Sequence, residues 1–275
     1  MKRILVPIDF SEEAKCAAKV AAKIAKKTNS KIYLLHMLEL PEGIIDMNTS
    51  KDTSSPASIL FMQKVHERFD ELKNESFFDG VEVIETVQFH KTFDGVIEES
   101  KKHDVDLVVM GSSGTSGFAE IIVGSNTEKV VRHSNVPVLV VKKGTKNFEL
   151  NDIVFASDFS GESKARFKDV IDFTAIFNAN LHLVYINTSH RFSTTKQITD
   201  KINAFISDFQ LSDFDFTIYN DLSIERGILN FSKEINADLI ALNTHGKSGL
   251  SKFFNGSVGQ ELANHAIKPV ITFKI

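Results

Sequence analysis

Short apolar runs, rich in β-branched residues, alternate along this chain with longer segments whose apolar residues recur every three or four positions. "RILVPI", "KIYLLHM", "VEVIETVQF", "DLVVM" and "VPVLVV" read as strands, and "SEEAKCAAKVAAKIAKK", "SILFMQKVHERFDELKNE" and "TFDGVIEESKKH" read as helices between them. The strands are continuously apolar, which predicts burial on both faces in a parallel sheet covered by helices. Ser11 is placed to cap the first helix, with Glu12 and Glu13 complementing its positive end. From residue 150 the same alternation returns in "DIVFAS", "LHLVYI", "FDFTIYN", "DLIALN" and "PVITF".

The recurrence is a duplication. "ILVPIDFSEEAK" from Ile4 reappears as "IVFASDFSGESK" from Ile153, and "YLLHM" ending at Met37 as "LVYI" ending at Ile186, both at an offset of 149 residues. "SGFAEIIVGSNTEKVVRHSNVPVLVV" from Ser116 reappears from Ser248 at an offset of 132. The two offsets differ by 17 residues, so the second half carries a deletion between these blocks. Its natural place is the counterpart of "LELPEGIIDMNTSKDTSSPAS", a polar Pro/Ser/Thr-rich loop at residues 38–58. "KGTKNFELN", 143–151, reads as the linker between halves. The expected organisation is two α/β domains, 1–145 and 150–275, each an open five-stranded parallel sheet with helices on both faces.

Composition narrows the function classes. The 275 residues are 42% hydrophobic and 25% charged, as in ordinary globular chains. A formal charge of −4 gives no electrostatic footprint for nucleic acid or an anionic membrane. Cys16 is the one cysteine, lies in the alanine-rich first helix, and reads as a small buried apolar residue. With no disulfide, no leader-like segment and no long apolar span, the expected compartment is the cytoplasm.

The candidate chemistry lies at the carboxyl ends of the strands, where open parallel sheets hold ligands. "GSSGTSGFAEIIVGS", 111–125, follows the fourth strand with three glycines, Gly111, Gly114 and Gly124, and a run of small hydroxyl residues. Such glycines serve a tight turn, a close approach of backbone to ligand, or a bare helix–strand crossing. Consecutive backbone N–H groups and a helix start at Ser125 would make an anion concavity. The plainer alternative is two glycine-bearing turns around a surface helix. The turn after the first strand, "PIDFSEE", has three acids and no glycine, so it would repel phosphate while Asp9 could hold a ribose hydroxyl.

Gly111-x-x-Gly114, nine residues, then Gly124-Ser125, with the "PIDFSE" opening, the "LLHM" second strand and the "NVPVLVV" close, resembles the ATP-binding branch of the universal stress protein family in its tandem two-domain form. The resemblance implies a Rossmann-like, adenine nucleotide α-hydrolase-like fold. It implies a site in which Pro7 and Asp9 lie near ribose and adenine and the Met37 backbone meets adenine. Met110 and Gly111 form the strand end, Ser113 and Gly114 the phosphate loop, and Gly124, Ser125 and Asn126 the helix start at the β and γ phosphates. Mg2+ would be bound through the phosphates, with no protein side chain as ligand. Thr115 departs from a position often basic in relatives. In the second half Ala156, Asp158, Ile186, Asn243, His245, Gly246, Gly256, Ser257 and Val258 take the matching places. There Asn243 replaces the first glycine; asparagine tolerates a left-handed backbone, so the turn can survive, while its side chain would occupy space that glycine leaves open.

Other chemistries fit less well. "ALNTHGKS", 241–248, has Ala241 where a P-loop has glycine and follows a fourth strand rather than a first. His36, His90, His103, His133 and His245 show no metal-binding spacing, and His36, whose repeat partner is Tyr185, reads as a packed ring. Slow ATP hydrolysis or self-phosphorylation stays open; dedicated catalysis is not expected. Two readings result: a nucleotide-binding regulatory protein with an unidentified protein partner, or a pseudo-dimeric scaffold with vestigial sites. Val138–Val141 and Val270–Phe273 would each be an exposed apolar edge if unpaired, and the resemblance implies that they meet inside one chain, with further homodimerisation left open.

Overall fold

A computed structural model describes residues 1–38, 56–88, 92–111, 125–142, 145, 148–209, 215–244 and 268–275. The first half supplies strands β1 (Arg3–Pro7), β2 (Lys31–Met37), β3 (Val83–Gln88), β4 (Leu107–Gly111) and β5 (Val138–Val141). Its helices are α1 (Glu12–Thr28), α2 (Pro56–Lys73), α3 (Thr92–Lys102) and α4 (Ser125–His133). The second half supplies β6 (Asp152–Ala156), β7 (Asn180–Asn187), β8 (Phe216–Asn220), β9 (Leu239–Thr244) and β10 (Val270–Lys274), with α5 (Gly161–Phe177), α6 (Thr195–Ile206) and α7 (Ile224–Glu234). Helix α2 starts two residues before its apolar pattern, at Pro56, since a first-turn residue needs no N–H.

The strands form one ten-stranded sheet in the order β3-β2-β1-β4-β5-β10-β9-β6-β7-β8. Each half is therefore a parallel 3-2-1-4-5 arrangement, and the halves meet where β5 pairs antiparallel with β10, Leu139 opposite Ile271. The two edges that the sequence expects to meet do so inside one chain, so the sheets are merged rather than separately open.

The halves share their punctuation. Ser11 and Ser160 cap α1 and α5 by accepting from the backbone N–H of Ala14 and Ser163, and Asn29 and Asn178 end those helices in the left-handed conformation. Asp106 accepts from the N–H groups of Lys2 and Arg3 before β1, and Asp238 from those of Asn151 and Asp152 before β6.

The cores are organised differently on the two faces. On the α1/α5 face one continuous apolar cluster runs through the seam and includes Leu139, Val141, Ile271 and Phe273. Among the described residues of the other face each half has its own cluster, around Val108 and Val130 in the first and Val154 and Ile228 in the second. The expected linker belongs to the shared core: Phe148 and Leu150 are buried, and the Phe148 ring meets Phe177 edge-on at 5.8 Å. Cys16 is half-buried and packs on this core rather than inside it. Polar ties reinforce the seam, with Arg166 Nε donating to the Lys274 carbonyl at 2.9 Å and Lys274 Nζ donating to the His133 carbonyl at 3.2 Å. Among the described residues no helix is long and apolar enough to cross a membrane.

Leu139 and Ile271 are both fully buried. Leu139→Glu places an uncompensated charge in the seam at a cost of about 3–5 kcal/mol. A lowered denaturation midpoint, or aggregation on exposure of the two edges, is the expected result. A soluble variant with the wild-type midpoint and scattering profile would contradict the seam.

Candidate functional site

In the first half the chain leaves β1 toward the α1 face of the sheet, and α4, which follows β4, packs on the other. A crevice opens between the carboxyl ends of β1 and β4. In the first half this edge brings together Pro7, half-buried; Asp9, exposed; Met37, half-buried at the end of β2; and Met110 and Gly111 at the end of β4. Met110 is buried on the α3/α4 face, so at most its backbone meets the crevice. Helix α4 is tied to this edge by Thr127, whose hydroxyl donates to the Gly111 carbonyl at 3.2 Å. Asn126 is exposed on its first turn, and Ser125 begins it. Ser113, Gly114, Thr115 and Gly124 lie outside the described residues.

The β1–α1 turn is held tightly. Ile8 N–H donates to the Leu35 carbonyl at 2.8 Å, and Ser11 N–H donates to Asp9 Oδ1 at 2.9 Å. Phe10 adopts φ 61°, a costly conformation for a bulky residue. That backbone turns its ring against His36 and Phe69, with centroids 4.9 and 5.3 Å away, while Asp9 stays in solvent at the rim. Phe159 repeats the device with φ 52°. His36 is a packed ring, with Nδ1 2.7 Å from the Ile8 carbonyl. Burial lowers its pKa, and the Ile8 contact and the Asp9 charge only partly oppose that shift.

Gly111 answers a different need from the one its loop suggests. A Cβ there would lie 2.8 Å from the carbonyl carbon and oxygen of Glu13 and 3.1 Å from its Cβ. The glycine permits a bare crossing of α1 over the end of β4. It has no left-handed φ, so a tight turn does not explain it. The alanines of α1 are the reason: Ala14, Ala17, Ala18, Ala21 and Ala25 are buried, and small side chains let helix and sheet approach closely.

In the second half Phe167 occupies the place of Ala18, packed against Phe155 at 5.1 Å and Phe205 at 4.9 Å. The larger rings leave room for a side chain at β9. Asn243 fills it, half-buried, and its amide Nδ2 donates to the Ser163 carbonyl at 3.1 Å. Asn243 sits inside β9 with no positive φ, so the left-handed turn that asparagine would tolerate is absent. Its Oδ1 is buried with no hydrogen-bond partner among the described residues. Ala156 and Ile186 are buried, and Asp158 is exposed. Partial burial would raise the Asp158 pKa, but bonds from the Ser160 N–H and the Ser163 hydroxyl, both at 3.0 Å, hold it below the usual carboxylate value. His245, Gly246, Gly256, Ser257 and Val258 lie outside the described residues.

Two features were not read from the sequence. Thr127, a threonine buried in a polar-looking helix start, is the tie between α4 and β4. Lys142 directly follows β5, one strand over from Gly111, which pairs with Val141. It is buried, and desolvation lowers its pKa to about 8. The buried Thr in "SNTEKVV" and the charged end of "VPVLVVK" were the available signals. Among the described residues no group of three or more His, Cys, Asp or Glu could hold a metal.

Comparison with known proteins agrees with this architecture. The sequence model of the Universal stress protein family matches residues 1–142 and 221–274. A universal stress protein of Methanocaldococcus jannaschii is 28% identical over 154 residues, which cover 52% of this chain and 95% of that protein. Another, from Synechocystis, is 24% identical over the full length of both chains. The crystal structure of a universal stress protein from Archaeoglobus fulgidus superposes with a TM-score of 0.74 at 21% identity, covering 99% of this chain and 98% of that one.

Gly111→Ala must push α1 off β4 and is expected to cost about 1–3 kcal/mol by urea denaturation. Gly161→Ala, where a Cβ meets nothing within 4 Å, is the control and is expected to be neutral or stabilising by about 0.4–1 kcal/mol. Equal effects at the two sites would refute the bare crossing. The lowered His36 pKa gives a second check. The unfolded chain binds more protons than the folded one below its His pKa of about 6.5, so this contribution is complete above that pH and declines as the pH falls through it. His36→Phe should flatten this part of the stability–pH curve; an unchanged slope would exclude His36 as its source.

Proposed function

Since the chain belongs to the universal stress protein family, we propose that it is a regulatory protein that binds ATP in its first half. Occupancy of the first crevice would change contacts with a partner protein. The observation that carries the reading is the switch-point crevice itself: Asp9 stands exposed on one side, and α4 starts on the other, tied to β4 through Thr127. The charges divide the ligand. Asp9, Glu12 and Glu13 at the β1 end suit ribose hydroxyls and repel phosphate, while the start of α4 offers backbone donors to the phosphate tail.

In this reading Pro7, Asp9 and Met37 face the nucleoside. Gly111 positions α1, and Ser113, Gly114, Gly124, Ser125 and Asn126 serve the phosphates. Lys142 places a buried cation on the same edge, where Thr115 offers none. Mg2+ would ride on the phosphates. The second-half crevice is the weaker site, because Asn243 fills the space beside α5. The role is one of binding and signalling rather than turnover.

Titration calorimetry with ATP and Mg2+ tests this. One saturable event is expected, lost in Gly114→Val and accompanied by a ligand-dependent rise in melting temperature. No heat and no stabilisation at millimolar ATP would leave the scaffold reading in its place.

A further inference from the structure

A second cleft, of about 450 Å3, opens at the carboxyl ends of β7 and β8, one strand outward from the β6/β9 crevice. Its floor is Asn187 and Asn220, and its wall is Asp221, Arg226 and Asn230 at the start of α7. Phe192 and Leu222 flank it, each 70% exposed, the highest exposure of any large apolar side chain among the described residues. Two such residues at one polar cleft call for an occupant.

The polar groups define what kind. Asn187 Oδ1 accepts from the Ser193 N–H at 3.1 Å, and its Nδ2 donates to Asn220 Oδ1 at 3.0 Å. Both Asp221 oxygens are engaged: Oδ1 accepts from the Leu222 N–H at 2.6 Å and Oδ2 from Asn230 Nδ2 at 2.8 Å. Arg226 is half exposed, and its Nε stands 3.9 Å from Asp221 Oδ1, beyond hydrogen-bond reach. Glu225, in the same turn of α7, is buried. The cleft therefore presents acceptors already engaged with the protein's own donors, beside a guanidinium suited to an anion.

The wall is rigid. A Cβ at Gly227 would fall 2.5 Å from Ile186 Cγ2 and 3.2 Å from Asp221 Cβ, so α7 is pressed onto the end of β7. The chemistry also belongs to the second half alone. By the repeat offsets, Asn187, Asn220, Asp221, Arg226 and Asn230 stand where the first half has Leu38, Gln88, Phe89, Asp94 and Glu98. The sign of the charge is reversed at Arg226, and the 17-residue deletion falls within this stretch. A scaffold inherited by duplication does not require these substitutions.

We propose that the cleft formed by Phe192, Leu222, Asn187, Asn220 and Arg226 binds a small amphipathic anion, its carboxylate or phosphate on the Arg226 guanidinium and its apolar body between Phe192 and Leu222. NMR titration of the 15N-labelled full chain with phenyl phosphate and with phenylacetate tests it. Expected are saturable shifts at the side-chain amides of Asn187, Asn220 and Asn230, weakened about tenfold or more in Arg226→Gln and in Phe192→Ala. Inorganic phosphate and benzyl alcohol, each carrying half of the recognition, should bind at least tenfold more weakly. Tighter binding of one probe assigns the anion class. Absence of saturable shifts with both at millimolar concentration, or wild-type affinity in a folded Arg226→Gln, overturns the proposal. Gly114→Val should leave these shifts intact, so failure of the ATP reading and failure of this one are told apart.

Discussion

The antiparallel contact of β5 with β10 is the constraint from which the rest of the molecule follows. Every residue of β5 is buried, and Ile271, Thr272 and Phe273 of β10 are buried as well, so neither strand could serve as a solvent-facing edge. Pairing them within one chain makes the duplicated halves a single body. It also uses the strand faces through which another copy would otherwise pair. Because all strands within a half are parallel and the seam is antiparallel, the carboxyl edges of the two halves lie on opposite edges of the sheet. The first-half crevice and any second-half site therefore cannot share a ligand.

Within that frame, helix–sheet spacing separates the halves. An alanine face on α1 brings helix backbone against β4, and only glycine fits at position 111. A phenylalanine-rich α5 packs on the same layer through larger rings, and asparagine at 243 bridges helix and strand through its side chain. The contrast begins in side-chain volume and ends as a difference between two crevices. At the end of β4 bare backbone meets α1; at the end of β9 an amide bridges to α5, its oxygen without a hydrogen-bond partner among the described residues.

Much of this was legible in the sequence because duplication supplies an internal control. Strand–helix alternation, the Ser11 cap, the packed role of His36 and the meeting of the last strands all followed from pattern and from edge chemistry. The reason for Gly111 did not, since a glycine after a strand looks the same whether it faces a ligand or a helix. The alanine run that settles the matter lies a hundred residues away in the chain. Asn243 misled for a related reason: left-handed propensity is a local argument, and the residue is held in β9 by its neighbours on β10. The "KGTKNFELN" segment was read from its polar residues, while Phe148 and Leu150 inside it carry the burial. The phosphate-loop positions from 112 to 124 lie outside the described residues, so their role rests on the motif.

Separation of the two edges gives divergence a physical route. Substitutions at the ends of β7 and β8 touch neither the seam nor the first-half crevice, so the second half could lose a 17-residue stretch and gain a cluster of amides without disturbing either. What the halves still share is the apolar layer under α1 and α5, which runs through Leu139, Val141, Ile271 and Phe273, while the described residues of the opposite face form two clusters. Both the β1–α1 turn with Phe10 and the β6–α5 turn with Phe159 pack onto the shared layer. An event at one rim that moves its helix must repack the same layer on which the other helix rests. Helix α7, which forms the wall of the second cleft, lies instead on the other face, where it packs with residues of β6, β7, β8 and β9 and presses closely on β7 at Gly227. Among the described residues, the apolar layer that joins the two edges is the one under α1 and α5, not the face on which α7 lies.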